Sequence, residues 1–396
     1  MLDLLKILSV LAIIVLLLKR RWNLGLVMVL SSVMLAVLYL LRPLDFALSV
    51  YDALKSKTTI SLMIILTLIR VFENVMRKNG LMQEMMDSFM GLVMDRRILM
   101  ASMPAIIGLL PSMGGAIFSA PLVEEASKGT EISPEKKAFI NYVFRHPWEY
   151  ISPLYPGLIL ASAITLHSVR DLIISNLSYA IFLVAGGIIW GLTGLEIQKD
   201  QFKKLSRKGL LSFLPIAAIV FLFVVLNLDL SISLTLVITT LYIVMKYTPG
   251  RILESIKEGF SWEIIIIIIG VMTFKEVLDV SGAVTNLSSF FSREGIPVLI
   301  VLFILPFLSG LLTGLTIGFV GAIFPILIGI EGAQSLPAIS FAFAAGYVGV
   351  LLSPVHLCLV LTREHFKADL SGMYRNIYRV GVLIMVAAVV QYFLLI

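Results

Sequence analysis

Leu110-Pro-Ser-Met-Gly-Gly-Ala-Ile-Phe-Ser-Ala-Pro121 interrupts an apolar run that both enters and leaves it. Pro111 has no backbone N–H to give a helix, and Gly114-Gly115 frees the backbone, so the helical period stops here and restarts beyond. A later stretch, Ser309-Gly-Leu-Leu-Thr-Gly-Leu-Thr-Ile-Gly-Phe-Val-Gly-Ala-Ile-Phe-Pro325, has the same construction. The fold turns on whether these two stretches are flawed membrane crossings or hairpins that enter a membrane and turn back.

A membrane is the medium the rest of the chain asks for. Of its 396 residues 59% are apolar and only 14% charged, and the mean hydropathy is +1.00. Apolar runs of about 20 residues recur, the length an α-helix needs to cross roughly 30 Å of hydrocarbon. One soluble core could not bury them all. Spans are expected over 4–18, 24–41, 59–76, 172–192, 210–226, 231–247, 264–280 and 377–395. Amphipathic interfacial helices are expected over 45–56, 81–94 and 252–260. Four further stretches, 98–126, 139–166, 296–330 and 337–361, are apolar but broken. The first run ends in Lys19-Arg20-Arg21 without a small-residue cleavage site, so a membrane helix is expected there rather than a removed signal.

Composition argues against other classes. The net charge of +6 comes from short Lys/Arg clusters between apolar runs, a positive-inside pattern and not a nucleic-acid footprint. One cysteine, Cys358, and four scattered histidines give no disulfide framework, zinc spacing or haem motif. An intramembrane lipid-processing enzyme would need a nucleophile–base pair or a metal motif; no His-Glu-x-x-His and no lysine-bearing phosphate loop occurs. A non-enzyme without a cofactor or resident metal is therefore expected.

The two halves match. Asn74-Val-Met-Arg-Lys-Asn-Gly80 resembles Glu276-Val-Leu-Asp-Val-Ser-Gly282, Pro104 falls opposite Pro306, Gly115-Ala-Ile-Phe118 recurs as Gly321-Ala-Ile-Phe324, and Ser152-Pro153 recurs as Ser353-Pro354. These anchors keep one order at offsets of 201 to 206 positions, which indicates an internal duplication. It divides the chain into a first repeat (1–195), a basic cytoplasmic linker (196–208) and a second repeat (209–396). Charge decides the topology. With the N-terminus outside and both glycine stretches re-entrant, the cytoplasmic side collects Lys19-Arg20-Arg21, Arg77, Lys78, Arg96, Arg97, Lys128, Lys136, Lys137, the Lys199–Lys208 cluster, Lys246, Arg251, Arg363, Lys367 and Arg375. The outside keeps Arg170, Lys275 and Arg293, with Lys55 and Lys57 against the trend. The expected fold is thus an all-α polytopic membrane protein of two inverted five-span repeats, each with a re-entrant helical hairpin and a broken helix.

Breaks at membrane depth survive only when buried in protein or lining a wet cavity. Ser152 before Pro153, and Ser353 before Pro354, fit a helix N-cap followed by proline at the first helical position. Ser112 or Gly114 can cap the returning limb of the first hairpin, and Thr313 or Thr316 that of the second. Four helix N-termini then face one another, each with free N–H groups and the positive end of a dipole, which suits an anion. Met113 sits at the first tip, and glycines 114, 115 and 314 let a ligand approach the backbone. Carbonyls at the preceding C-termini suit Na⁺. A Gly-Gly or Ser-Pro alone is ordinary packing or kinking; its recurrence in both halves is what points to a binding site. Ionisable or polar residues within spans supply the coupling candidates: His356, Glu149, His146 and Asn141, the histidines because they titrate near neutral pH. Arg145 is assigned to the membrane interface.

This pattern resembles the ion transporter superfamily, which includes gluconate, citrate–metal and sodium–dicarboxylate permeases. The Leu110–Pro121 stretch is most similar to an uncharacterised prokaryotic branch (domain of unknown function 401). The resemblance implies a multi-pass protein of the inner (plasma) membrane and a homodimer whose transport domain moves as an elevator against a scaffold. In the dicarboxylate branch Ser-Asn-Thr motifs at the hairpin tips hold substrate carboxylate and Na⁺; here the tips read Ser112-Met113-Gly114 and Thr313-Gly314-Leu315-Thr316, with no asparagine. The expected function is secondary active transport of a small organic anion, carboxylate-like, coupled to Na⁺ or H⁺. A channel or uncoupled facilitator is the alternative, and an intramembrane lipid-processing enzyme the further one.

Overall fold

A computed structural model describes residues 2–20, 22–92, 95–111, 115–195 and 207–396. Among them there is no strand. The first part of the chain forms α1 (Leu2–Lys19), α2 (Leu24–Leu38), α3 (Pro43–Lys55), α4 (Lys57–Lys78), α5 (Leu81–Leu92), α6 (Arg96–Gly108), α7 (Ala116–Ala126), α8 (Pro134–Arg145), α9 (Trp148–Ile151), α10 (Pro156–Thr165) and α11 (Val169–Gly187), the last extended by a π-helical turn over Ile188–Leu192. The second part forms α12 (Arg207–Leu211), α13 (Leu214–Val220), again extended by a π turn, α14 (Leu230–Val244), α15 (Pro249–Gly259), α16 (Trp262–Ser281), α17 (Ala283–Arg293), α18 (Val298–Thr313), α19 (Thr316–Leu327), α20 (Leu336–Leu351), α21 (Leu357–Phe366) and α22 (Leu370–Leu395). One order runs twice: two apolar helices, a short amphipathic helix, a long helix, a second amphipathic helix, an interrupted pair, a broken helix and a closing helix. Helix α17 was not expected from the sequence; it is the counterpart of α5.

Among the described residues three helices are long and apolar enough to cross a membrane, Lys57–Lys78, Val169–Leu192 and Leu370–Leu395, and several shorter helices are apolar as well. Their outward faces carry exposed Ile174, Leu177, Ile181, Val382, Val386 and Phe393. So much contiguous apolar surface would be a liability in water and suits hydrocarbon.

The two parts pack crosswise. Helix α2 lies along α16 and α4 along α14; α3 meets α16 and α4 meets α15; α1 meets α17 and α5 meets α12. The same exchange holds at the interrupted elements, where α10 packs on α19 and α7 on α21. Local chemistry repeats as well. Ser133 Oγ accepts the Lys136 N–H at 3.3 Å to cap α8, and Ser335 Oγ accepts the Ala338 N–H at 3.3 Å to cap α20. A Cβ on Gly108 would sit 2.3 Å from the Arg145 carbonyl oxygen, and one on Gly310 would sit 2.0 Å from that of Gly346. Glycine is thus required where α6 crosses α8 and where α18 crosses α20.

The outer ends of these elements meet in pairs. Arg96, at the start of α6, donates to the carbonyl of Lys128, just beyond α7, at 2.5 Å. Gly332, after α19, lies against Val298 at the start of α18. Glu135 at the start of α8 accepts the Asp369 N–H beyond α21 at 3.2 Å, and His365 near the end of α21 bonds Glu124 near the end of α7 at 2.9 Å. At the other face His167, beyond α10, bonds the carbonyl of Gln334, before α20, at 2.8 Å. The two broken helices therefore run antiparallel.

The Ser-Pro pairs do not start helices. Residues 152–155 and 353–356 each close a β-turn, with Tyr155 N–H donating to Ser152 O and His356 N–H to Ser353 O, both at 3.2 Å. Pro153 and Pro354 take the second turn position, which their fixed φ favours. The serine hydroxyls accept the N–H groups of Leu154 (3.3 Å) and Val355 (3.4 Å), so they brace turns instead of capping helices. The helices resume later, at Pro156 and Leu357. Nor do the threonines cap α19: Leu315 holds the N-cap position without a side-chain bond, and Thr316 is the first helical residue.

Candidate functional site

The interruption between α18 and α19 touches both broken helices. Gly314 has φ +64, a left-handed conformation that turns the chain back at the tip. Its carbonyl faces Nδ1 of His356 at 2.7 Å. Two residues on, the Thr316 hydroxyl donates to the Glu149 carboxylate. Gly157, at the start of α10, packs on the Thr316 side chain, so two helix N-termini meet here. Glu149 is thus a resident carboxylate beside the positive end of α19.

His146 and His356, 210 positions apart, bring Nε2 to Nε2 at 3.0 Å. His146 Nδ1 faces the Tyr142 carbonyl at 2.5 Å. Only 1% of His146 and 7% of His356 is exposed. Tyrosines enclose the pair, with Tyr142 ring centroids 4.4 Å from His146 and 5.7 Å from His356. They also satisfy carbonyls left open where helices end. Tyr142 hydroxyl donates to Leu351 O at the end of α20 (3.0 Å), and Tyr347 hydroxyl donates to His146 O at the end of α8 (3.1 Å). The bond is reciprocal, each broken helix closing the end of the other.

Asn141 ties the first interruption into the same centre. Its Nδ2 donates to Ala116 O at the start of α7 (3.2 Å) and to Thr362 Oγ1 on α21 (3.1 Å). Its Oδ1 is buried and has no hydrogen-bond partner among the described residues. Gly115, the N-cap of α7, is buried beside it. Ser112, Met113 and Gly114 lie outside the described residues. Tyr155 hydroxyl donates to Gly108 O at the end of α6, and Trp148 Nε1 donates to Ala105 O at 2.7 Å. Tyr155→Phe keeps the ring and leaves that carbonyl without its donor. A loss of about 1–3 kcal/mol is expected, read as a lower melting midpoint in detergent; an unchanged midpoint would show that Tyr155 does not hold α6.

Of the residues expected from sequence, Ser152, Pro153, Ser353, Pro354, Thr313, Gly314, Thr316, Asn141, His146, Glu149 and His356 all fall in this one region. Thr313 contributes only a long contact, Oγ1 to Leu315 N–H at 3.4 Å. Arg145, assigned to the interface from sequence, is buried within the protein: only 4% of it is exposed, beside Cys358 and Tyr155 and within electrostatic reach of Glu149. Cys358, equally buried, was missed as well; its Sγ and one ring nitrogen each of His146 and His356 lie within 4.8 Å of one another. The one signal in the sequence for Arg145 was its place next to His146 on a broken span, where a cation is costly unless it has work or partners.

Comparison with curated proteins finds no match. Over residues 2–396 the chain matches the family described as "Protein of unknown function (DUF401)", and it belongs to that family.

Proposed function

We propose that this protein is a secondary active transporter of a small organic anion, multi-pass in the plasma membrane, with α6–α7 and α18–α19 as re-entrant hairpins of two inverted repeats. The carrying observation is convergence: one hairpin tip, 313–316, holds His356 of one broken helix through Gly314 and Glu149 of the other through Thr316. Symmetric breaks that meet are where membrane transporters place substrate and coupling ion. The re-entrant reading is supported by the ends of each hairpin lying together, Arg96 with Lys128 and Val298 with Gly332. The inverted reading is supported by the antiparallel broken helices. Substrate would meet the N-termini of α10, α19 and α21 together with buried Arg145, which supplies the cation that the tips lack. Homodimerisation and elevator motion follow from the resemblance to the ion transporter superfamily.

The test is uptake into proteoliposomes. Labelled gluconate, citrate and succinate are offered with an inward Na⁺ gradient, an inward proton gradient, or neither. Uphill accumulation with one gradient is expected. Saturable flux indifferent to both would assign a facilitator, and no flux of any anion would sink the proposal.

A further inference from the structure

The histidine pair carries a proton count that its partners dictate. Both Nδ1 atoms face backbone carbonyl oxygens, Tyr142 O at 2.5 Å and Gly314 O at 2.7 Å. A carbonyl only accepts, so each Nδ1 must carry a hydrogen. That leaves two Nε2 atoms pointing at each other at 3.0 Å. In two neutral rings both would be bare lone pairs that repel, and the one thiol hydrogen of Cys358, whose Sγ lies within 4.8 Å of both, could serve only one of them. A hydrogen between them makes every contact a normal hydrogen bond. Three protons on two imidazoles is one more than two neutral rings hold.

We propose that His146 and His356 share one extra proton between their Nε2 atoms, and that this proton is the coupling ion of the transport reaction; the second half of the proposal rests on the transporter reading above. In the binding step an N–H bond forms on one Nε2 and the pair gains one positive charge; release breaks that bond, and nothing is oxidised or reduced. The charges around the pair explain why proton and anion would travel together. On α8 stands Arg145, with Tyr155 of the first turn beside it, on α9 Glu149 and on α21 Cys358, and the tyrosines Tyr142 and Tyr347 face the pair from α8 and α20. Arg145 and Glu149 offset one another. With Cys358 keeping its own proton and Glu73 answered by Arg77, the shared proton adds one positive charge in a buried place, which an anion neutralises. Binding of either ligand favours the other by the same factor. The Gly314 carbonyl, a tip oxygen that could otherwise serve Na⁺, is already engaged by His356, which turns the choice of ion toward H⁺.

The site itself is read first, without transport. The full chain, labelled with ¹⁵N-histidine, is placed in lipid nanodiscs, and His146→Gln and His356→Gln assign the signals. At pH 7 three of the four ring nitrogens of the pair are expected to be protonated, with one transition at higher pH that empties both Nε2 atoms together. His356→Gln is expected to remove the shared-proton signal from His146. Two neutral rings from pH 6 to 9 overturn the proposal, as do Nε2 atoms held by a co-purified metal. The second arm uses the same liposomes and three anions in Na⁺-free buffer. Proton-driven uptake is expected, with affinity full below the pair's titration and falling about tenfold per pH unit above it, the limit for one linked proton. His146→Gln and His356→Gln are expected to lose that dependence, and His365→Gln, at the outer end of α21, to keep it. Uptake driven by Na⁺ and blind to pH overturns the coupling. A triply protonated pair in a protein that moves no anion would sink the transporter reading and the coupling while leaving the shared proton in place; the two failures are thereby told apart.

Discussion

Gly314→Val is expected to abolish the proposed anion uptake and to lower the melting midpoint more than any other substitution at the centre. Two costs add. Gly314 has φ +64, a region where a β-branched residue is strained by roughly 1–2 kcal/mol or more. Its Cβ would also stand 2.9 Å from His356 N, 3.0 Å from His356 Cα and 3.0 Å from Ser353 Oγ. Two of those atoms are backbone and cannot swing away, so the tip must retreat from the 353–356 turn at a further cost of about 1–3 kcal/mol. Retreat takes the Gly314 carbonyl away from His356 Nδ1 and removes the anchor of the proposed proton pair. Gly282→Ala is the control. Gly282 has φ +67 and nothing within 4 Å of a Cβ, so it bears backbone strain without contact. Melting in detergent and uptake in liposomes are compared for the two. Gly314→Val no worse than Gly282→Ala in both would show that the tip does not rest on the turn.

Much of this architecture is legible in the sequence, and the rest is hidden for physical reasons. Apolar runs place the long helices because membrane length is a local property, and Pro111 and Gly314 mark interruptions because one lacks an N–H donor and the other readily takes a left-handed φ. The Ser-Pro pairs mark the correct places with the wrong role. A serine before proline fits both an N-cap and a β-turn, and what selects the turn is the backbone bond three residues on, Ser152 O with Tyr155 and Ser353 O with His356. Helix α17 escapes because Asn286, Ser288, Ser289 and Arg293 interleave with its apolar residues and resemble a loop. The burial of Arg145 and Cys358 is not legible because it comes from segments distant in sequence: α6 through Gly108, α21 through the turn before it. The His146–His356 pair could be suspected residue by residue, but its 3.0 Å contact exists only because the halves pack crosswise.

Within each half one close helix crossing depends on a glycine, and substituting either gives the second large effect. In Gly310→Ala the new Cβ falls 2.0 Å from the Gly346 carbonyl oxygen, and in Gly108→Ala it falls 2.3 Å from that of Arg145. Both obstacles are backbone atoms inside helices, so neither contact is relieved by a side-chain rotation; the helices must separate by about 1 Å or more, at a cost of about 1–3 kcal/mol. Alanine is the better helix former, and at an open position the same change stabilises by roughly 0.5–1 kcal/mol. Gly250→Ala, with nothing within 4 Å, supplies that baseline on α15. Both core variants are therefore expected to melt below wild type while Gly250→Ala melts at or above it. Gly310→Ala is also expected to lose uptake, since α18 ends in the tip that holds His356, and Gly108→Ala to do so through α8, which carries Arg145 at its end and His146 just beyond. Equal stability in all three variants would mean that the helices do not cross as closely as these glycines allow. A loss at Gly310 alone would break the correspondence between the halves, because a duplicated architecture needs the same close crossing on both sides of the site.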